Sequence, residues 1–138
     1  MVDGDNEGPA RRAAMERARK ESTTIPPERI VVAVPMPERE AWHISGFESK
    51  DAAEQSRLAQ TRTDLGKDPR TSSHELKHGR DEAKNNAKRV LTVLTEDDAA
   101  REHACIFETP LEVLRQRGRE NGLVDFLDQV QSRLGTLV

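Results

Sequence analysis

The residues 74-HELKH-78 spell the H-E-x-x-H pattern of zinc metalloproteases. On a helix, two histidines four apart share a face and can hold Zn2+, while the intervening glutamate takes a proton from metal-bound water. His74 and His78 have that spacing, with Glu75 as the base. The surroundings differ from a protease site. Ser72 and Ser73 precede the motif, Lys77 sits inside it, and Gly79, Arg80 and Asp81 follow. Ser72 or Ser73 reads as a helix cap, which puts His74 in the first turn. Glu96, Asp97, Asp98 and His103 are the available third ligands, and none stands at a recognisable spacing. The plainer reading is two surface histidines on a polar helix.

A second acidic group opens the chain, 3-DGDNEG-8. Read as an EF-hand loop, Asp3, Asp5 and Glu7 fill positions 1, 3 and 5 and Gly8 position 6, but Ala14 stands where position 12 needs a bidentate glutamate. It otherwise reads as a solvated turn, or as a D-x-D magnesium site at the carboxyl end of a strand. Asp3, Asp5 and Glu38 on one sheet edge, with Glu40 beside them, suit Mg2+ held with several waters. Such an ion binds phosphate and stabilises charge in phosphoryl transfer.

That chemistry needs elements to position it. Residues 9–21 are helix formers behind Pro9. Residues 30–34 are continuous, β-branched and apolar between prolines, which predicts a strand covered on both faces. Its N–H and C=O groups need ladder partners. Met1 and Val2, or 105–107, are the candidates: either Met1 and Val2 are the stub of a strand whose body lies upstream, or the short strand pairs with one irregular segment or across a dimer. On the first reading the chain is a fragment or has a misassigned start, and 1–34 is a βαβ unit.

Helices are expected at 37–45, ended by Gly46, at 49–65, and from about residue 73 to 94 on the stripe Ala83, Ala87, Val90, Leu91 and Leu94. Thr95 reads as the cap of the next helix. Thr109, with Pro110 and Glu112, reads as a capping box. The last helix buries Leu123, Phe126, Leu127, Val130 and Leu134. Trp42 and Phe47 read as core rather than a platform for bases.

The length of 138 residues fits a single domain, 1–138. Net charge is −3, which gives no overall attraction to nucleic acid. Residues 61–89 hold eight Lys/Arg against five Asp/Glu, and Arg70, Lys77, Arg80, Lys84, Lys88 and Arg89 could line a path for a nucleic-acid backbone. A solvated helix surface is the blander reading. The lone Cys105 excludes an internal disulfide and a cysteine zinc cluster, and fits a reducing cytosol. No apolar run approaches the roughly 20 residues of a membrane span, and no signal peptide is visible, so a cytoplasmic protein is expected.

The stretches 2-VDGDNEG, IVVAVPMPEREAW, LGKDPRTSSHELK and ENGLVDFL resemble a family of small TOPRIM-like bacterial proteins of unassigned function. Only D-x-D belongs to the wider fold, which occurs in topoisomerases, primases and overcoming-lysogenization-defect nucleases. There, an acid at the end of the first strand joins the D-x-D pair on magnesium; that strand is absent here. The resemblance implies an α/β fold, helix-rich with a small parallel sheet and N-terminally truncated. It implies Asp3 and Asp5 as Mg2+ ligands; Glu38, from the sheet-edge reading, is the candidate substitute for the missing acid. The function expected is nucleic-acid phosphodiester chemistry or a degenerate form of it, serving an ATPase or another protein. A homo-oligomer is compatible with either. The alternatives are a non-catalytic protein-interaction module and the zinc protease.

Overall fold

A computed structural model describes residues 8–78 and 83–135. Among them the chain forms seven α-helices: α1 (Gly8–Lys20), α2 (Arg39–Ser45), α3 (Ala52–Leu65), α4 (Ala87–Thr95), α5 (Ala99–Phe107), α6 (Leu111–Arg117) and α7 (Leu123–Leu134). Two 3-10 turns, Pro27–Arg29 and Ser73–Glu75, lie between them.

Over the described residues the architecture is all-α, not α/β. Among the described residues there is no sheet, only an isolated parallel bridge between Lys77 and Asn86. Residues 30–34 form no strand: Ile30 has extended backbone and Val32 and Val34 are buried, but among the described residues no strand lies beside them. A side chain does the work expected of a ladder. The Gln129 carboxamide on α7 accepts from Val32 N–H at 3.0 Å and donates to Val32 C=O at 3.0 Å. The same Oε1 accepts from Arg19 of α1 at 3.0 Å, and Nε2 also donates to Asp125 at 2.8 Å. All four hydrogen-bonding positions of the amide are used. The backbone groups of Val32 are satisfied without a neighbouring strand, so the βαβ unit is not required. Residues 105–107, the other proposed strand, lie in α5.

The helix expected from about residue 73 is also corrected. Ser73–Glu75 is one 3-10 turn, and Leu76 continues in extended backbone. Helix α4 begins at Ala87, where the Asn86 side chain accepts from Arg89 N–H at 3.0 Å. Asparagine at that position satisfies an orphan amide of the first turn. Leu76, 3% exposed, fills the core from the extended segment.

Elsewhere local signals set the boundaries. Asp51 and Asp98 cap α3 and α5, and Gly66 ends α3 in the left-handed conformation. Thr95 lies inside α4 and donates to Leu91 C=O at 2.8 Å instead of capping α5. Thr109 donates to Gly46 C=O, so Pro110 takes the cap position of α6.

Two apolar clusters hold the helices together. Ile44, Phe47, Leu58, Leu76, Val90, Leu91, Leu94 and Cys105 join α2 to α3, α4 and α5. Trp42, Leu114 and Leu123 join α2 to α6 and α7, with Ala33, Ile106, Phe126 and Leu127 packed around them. Helix α2 therefore belongs to both. Truncating a buried ring such as Phe47 to alanine costs about 3–5 kcal/mol. Gly46 lets α5 approach: a Cβ there would lie 1.9 Å from Cys105 O.

Candidate interaction groove and the polar seam beneath it

Three of the stretches that carried the family resemblance meet at one buried residue, Asn121. Its Nδ2 donates to Ser45 Oγ at 2.7 Å on α2 and to Ser73 Oγ at 2.9 Å beside the HELKH motif. Its Oδ1 accepts from Leu123 N–H at 3.1 Å, which satisfies the start of α7. Its C=O accepts from Trp42 Nε1 at 2.8 Å. Asn121, Ser45 and Ser73 are each at most 1% exposed. A buried polar group is tolerated when its bonds are made, and these are.

The seam decides where the histidines go. Ser73 turns inward to Asn121, so His74 faces Glu120, with Nε2 at 2.9 Å from Oε2. His78 lies exposed beyond Leu76 in non-helical backbone. His74 and His78 are thus not on one helix, and the shared face that the zinc spacing presumed is not formed. Glu75 is paired with Lys67, whose ammonium holds the carboxyl below its usual range. Asp98 caps α5, Glu96 pairs with Arg57 at 2.7 Å, and His103 stacks on Phe107 with ring centroids 4.0 Å apart.

Asp3 and Asp5 lie outside the described residues. Glu38 is buried, 5% exposed, at the N-terminus of α2. Among the described residues no group of three His, Cys, Asp or Glu side chains is placed to hold a metal ion. Among the described basic residues of 61–89, Arg70 is folded onto Asp68 at 2.9 Å, while Lys88 and Arg89 ride on α4.

Above the seam, α2, α5, α6 and α7 enclose an open groove of about 480 Å³. Trp42 and Phe126 line it with ring centroids 5.2 Å apart, and Leu114, Leu123 and Leu127 complete the apolar bed. One wall is a single face of α5: Ala99, Glu102, His103, Ile106 and Phe107 recur at helical spacing. From Ala99 to Ile106 that wall is about 10 Å long at 1.5 Å per residue. Phe107 stands at its end, 74% exposed, and Leu111 follows at 54%. The rim carries Arg39, which pairs with Glu40 at 3.5 Å, the imidazoles of His43 and His103, and the carboxylate of Glu102.

A buried ion pair fixes the other side of α5. Arg101 donates from Nε and Nη2 to the two carboxylate oxygens of Glu54 at 2.8 and 2.9 Å, with its guanidinium 4.7 Å from the Phe47 ring centroid. The Arg101 hydrogen bonds pull the Glu54 carboxyl down to about 2, against the effect of burial.

Sequence reasoning placed Trp42 and Phe47 in the core correctly; they are 7% and 0% exposed. It missed Asn121, Gln129 and the groove. The Asn121-Gly122 dipeptide is a turn signal that marks the first. Nothing in the pattern of α7 distinguishes Gln129 from a surface glutamine. Comparisons with protein-family models, with curated proteins and with solved structures gave no match. Among the described residues no helix is long and apolar enough to cross a membrane.

Proposed function

We propose that this chain is a non-catalytic protein-interaction module that seats one amphipathic helix of a partner protein in the α2/α5/α6/α7 groove. The observation that carries this reading is an apolar bed floored by Trp42, Leu114 and Leu123 and ending in an aromatic ring, Phe107, that is 74% exposed. An exposed phenylalanine next to an apolar hollow is the composition of a binding surface rather than of an idle one. A bed walled by one helical face of about two turns matches an incoming helix with anchors three and four residues apart. The nuclease-like reading drew its geometry from a sheet edge that the described residues do not contain.

Trp42 is the only tryptophan and lines the groove, so its emission reports occupancy. A synthetic amphipathic peptide with a Leu/Phe stripe should shift that emission saturably. Phe107→Asp should weaken the effect at least about tenfold. Because Phe107 is exposed, the variant should keep its stability within about 0.5 kcal/mol. Saturable binding that is indifferent to Phe107→Asp, or no emission change at all, overturns the reading.

A further inference from the structure

Two histidines line the groove where a seated helix must cover them. His103 is exposed on the α5 wall, and its ring stacks on Phe107 with centroids 4.0 Å apart. A helix that packs on Phe107 therefore lies over this imidazole too. His43, half-buried, follows Trp42 on α2 and lines the same hollow. Its Nδ1 is 3.3 Å from Arg39 C=O. A carbonyl only accepts, so Nδ1 donates in that bond and Nε2 is the basic nitrogen. The other two of the four histidines, His74 and His78, do not line the groove.

The charged groups around these rings come from α2 and α5. Arg39 stands one turn before His43 and lines the groove with it, and Glu40 pairs with Arg39 at 3.5 Å. Glu102 lines the groove next to His103. Glu108, which pairs with Lys50, shares an adjoining hollow on α5 with His103. From α6 and α7 the groove receives only Leu114, Leu123, Phe126 and Leu127. Two imidazolium rings covered by a ligand would thus share the groove with Arg39 and have one lining carboxylate, Glu102, to offset them. Charge taken out of water without enough partners is costly.

We infer that occupancy of the groove is under proton control: an apolar helix seats when His43 and His103 are neutral and is released when they are charged. The inference rests on the helix-in-groove reading and adds its regulation. Covering an imidazole removes its water, which disfavours the charged ring. Seating the helix therefore releases protons, and by linkage acid weakens the seating. Histidine is the side chain that ordinarily changes charge between roughly pH 5 and 8. Carboxylates ordinarily titrate near about pH 4, below that range. The two imidazoles are the groove's switching groups in mildly acidic solution.

The test uses the whole chain and a labelled, end-blocked amphipathic peptide with a Leu/Phe stripe and a polar face of glutamine and serine, which carries no titrating group. Anisotropy of the label is the readout, because Trp42 emission itself responds to charge on the adjacent His43. The Kd should rise about tenfold between about pH 7.5 and about pH 5.5, the effect of one imidazole that must give up its proton to be covered. Calorimetry at about pH 6.5 in two buffers of different ionisation enthalpy should show net proton release on binding. His43→Gln with His103→Gln holds both positions uncharged, and its Kd should change less than about twofold over the same range. A wild-type Kd that is constant with pH, proton uptake on binding, or a double variant that keeps the tenfold change would each overturn the proposal and leave the groove reading standing. Absence of binding at both pH values would overturn the groove reading and the proposal together.

Discussion

Gln129 and Val32, 97 residues apart, are joined by a two-way hydrogen bond in which one side-chain amide stands where a neighbouring strand's backbone would stand. Gln129→Leu removes both bonds and leaves the inner groups of Val32 without partners in a half-buried site. The expected loss is about 2–3 kcal/mol in denaturant unfolding. Gln129→Glu keeps an acceptor for the Val32 N–H but offers no donor to its C=O, and should fall between wild type and Gln129→Leu.

Glu54 makes stability depend on pH. Its carboxyl titrates at about 2 in the folded chain, against 4.5 when free. The folded state thus favours the charged form, and the contribution is complete above the unfolded value. It is lost as pH falls from about 5 towards 2, and is worth about 3 kcal/mol at most. Glu54→Gln should flatten the acid limb of a stability-against-pH curve. Arg101→Met, which leaves the buried carboxylate only the Lys50 N–H at 2.9 Å and the Arg57 guanidinium at 3.9 Å, should cost more at neutral pH than at pH 3.

Cys105 is fully buried, and burial pushes its thiol up to about 11. The thiolate is the reactive form, so alkylation at pH 8 should be slow and limited by opening of the fold. Adding urea through the unfolding transition should bring the rate to that of a free thiol. Fast labelling of the native chain would contradict the packing of α5 against α2.

Gly122 has φ +90°, and a Cβ there would lie 2.3 Å from Val34 O. Gly122→Ala combines a backbone conformation unfavourable to L-residues with a clash against main chain that has little room to move. Thermal unfolding should show at least about 1–3 kcal/mol of destabilisation. Gly66→Ala is the control: its φ is also positive, +74°, but a Cβ there meets nothing within 4 Å. It should cost only the backbone term, about 1–2 kcal/mol.

Much of the helical content was legible in the residues because helix signals are local. Pro9 near the start of α1, Gly46 after α2 and Gly66 after α3 all stand within a turn of the boundary they mark. The apolar spacing of α7 is read within a dozen residues. The failures share a physical cause, which is a partner distant in sequence. A β-branched run at 30–34 calls for hydrogen-bond partners, and no local rule says that a glutamine 97 positions away will provide them. Ser73 is drawn inward by Asn121, and that contact displaces the helix expected through HELKH. The groove was hidden for a related reason. Periodicity gives α5, α6 and α7 an apolar face, but only their packing shows which part of it is left uncovered at Phe107.

Asn121 has a consequence for how the molecule can be taken apart. Through one carboxamide it touches positions up to 80 residues earlier in the chain, so two ends of a long loop must close before its bonds exist. Nicking the backbone between Ser45 and Ser73 would leave neither product able to complete that knot, and the two halves should lose order together. The protein should therefore melt in a single step, with the α2/α5/α6/α7 groove vanishing at the same temperature as the core.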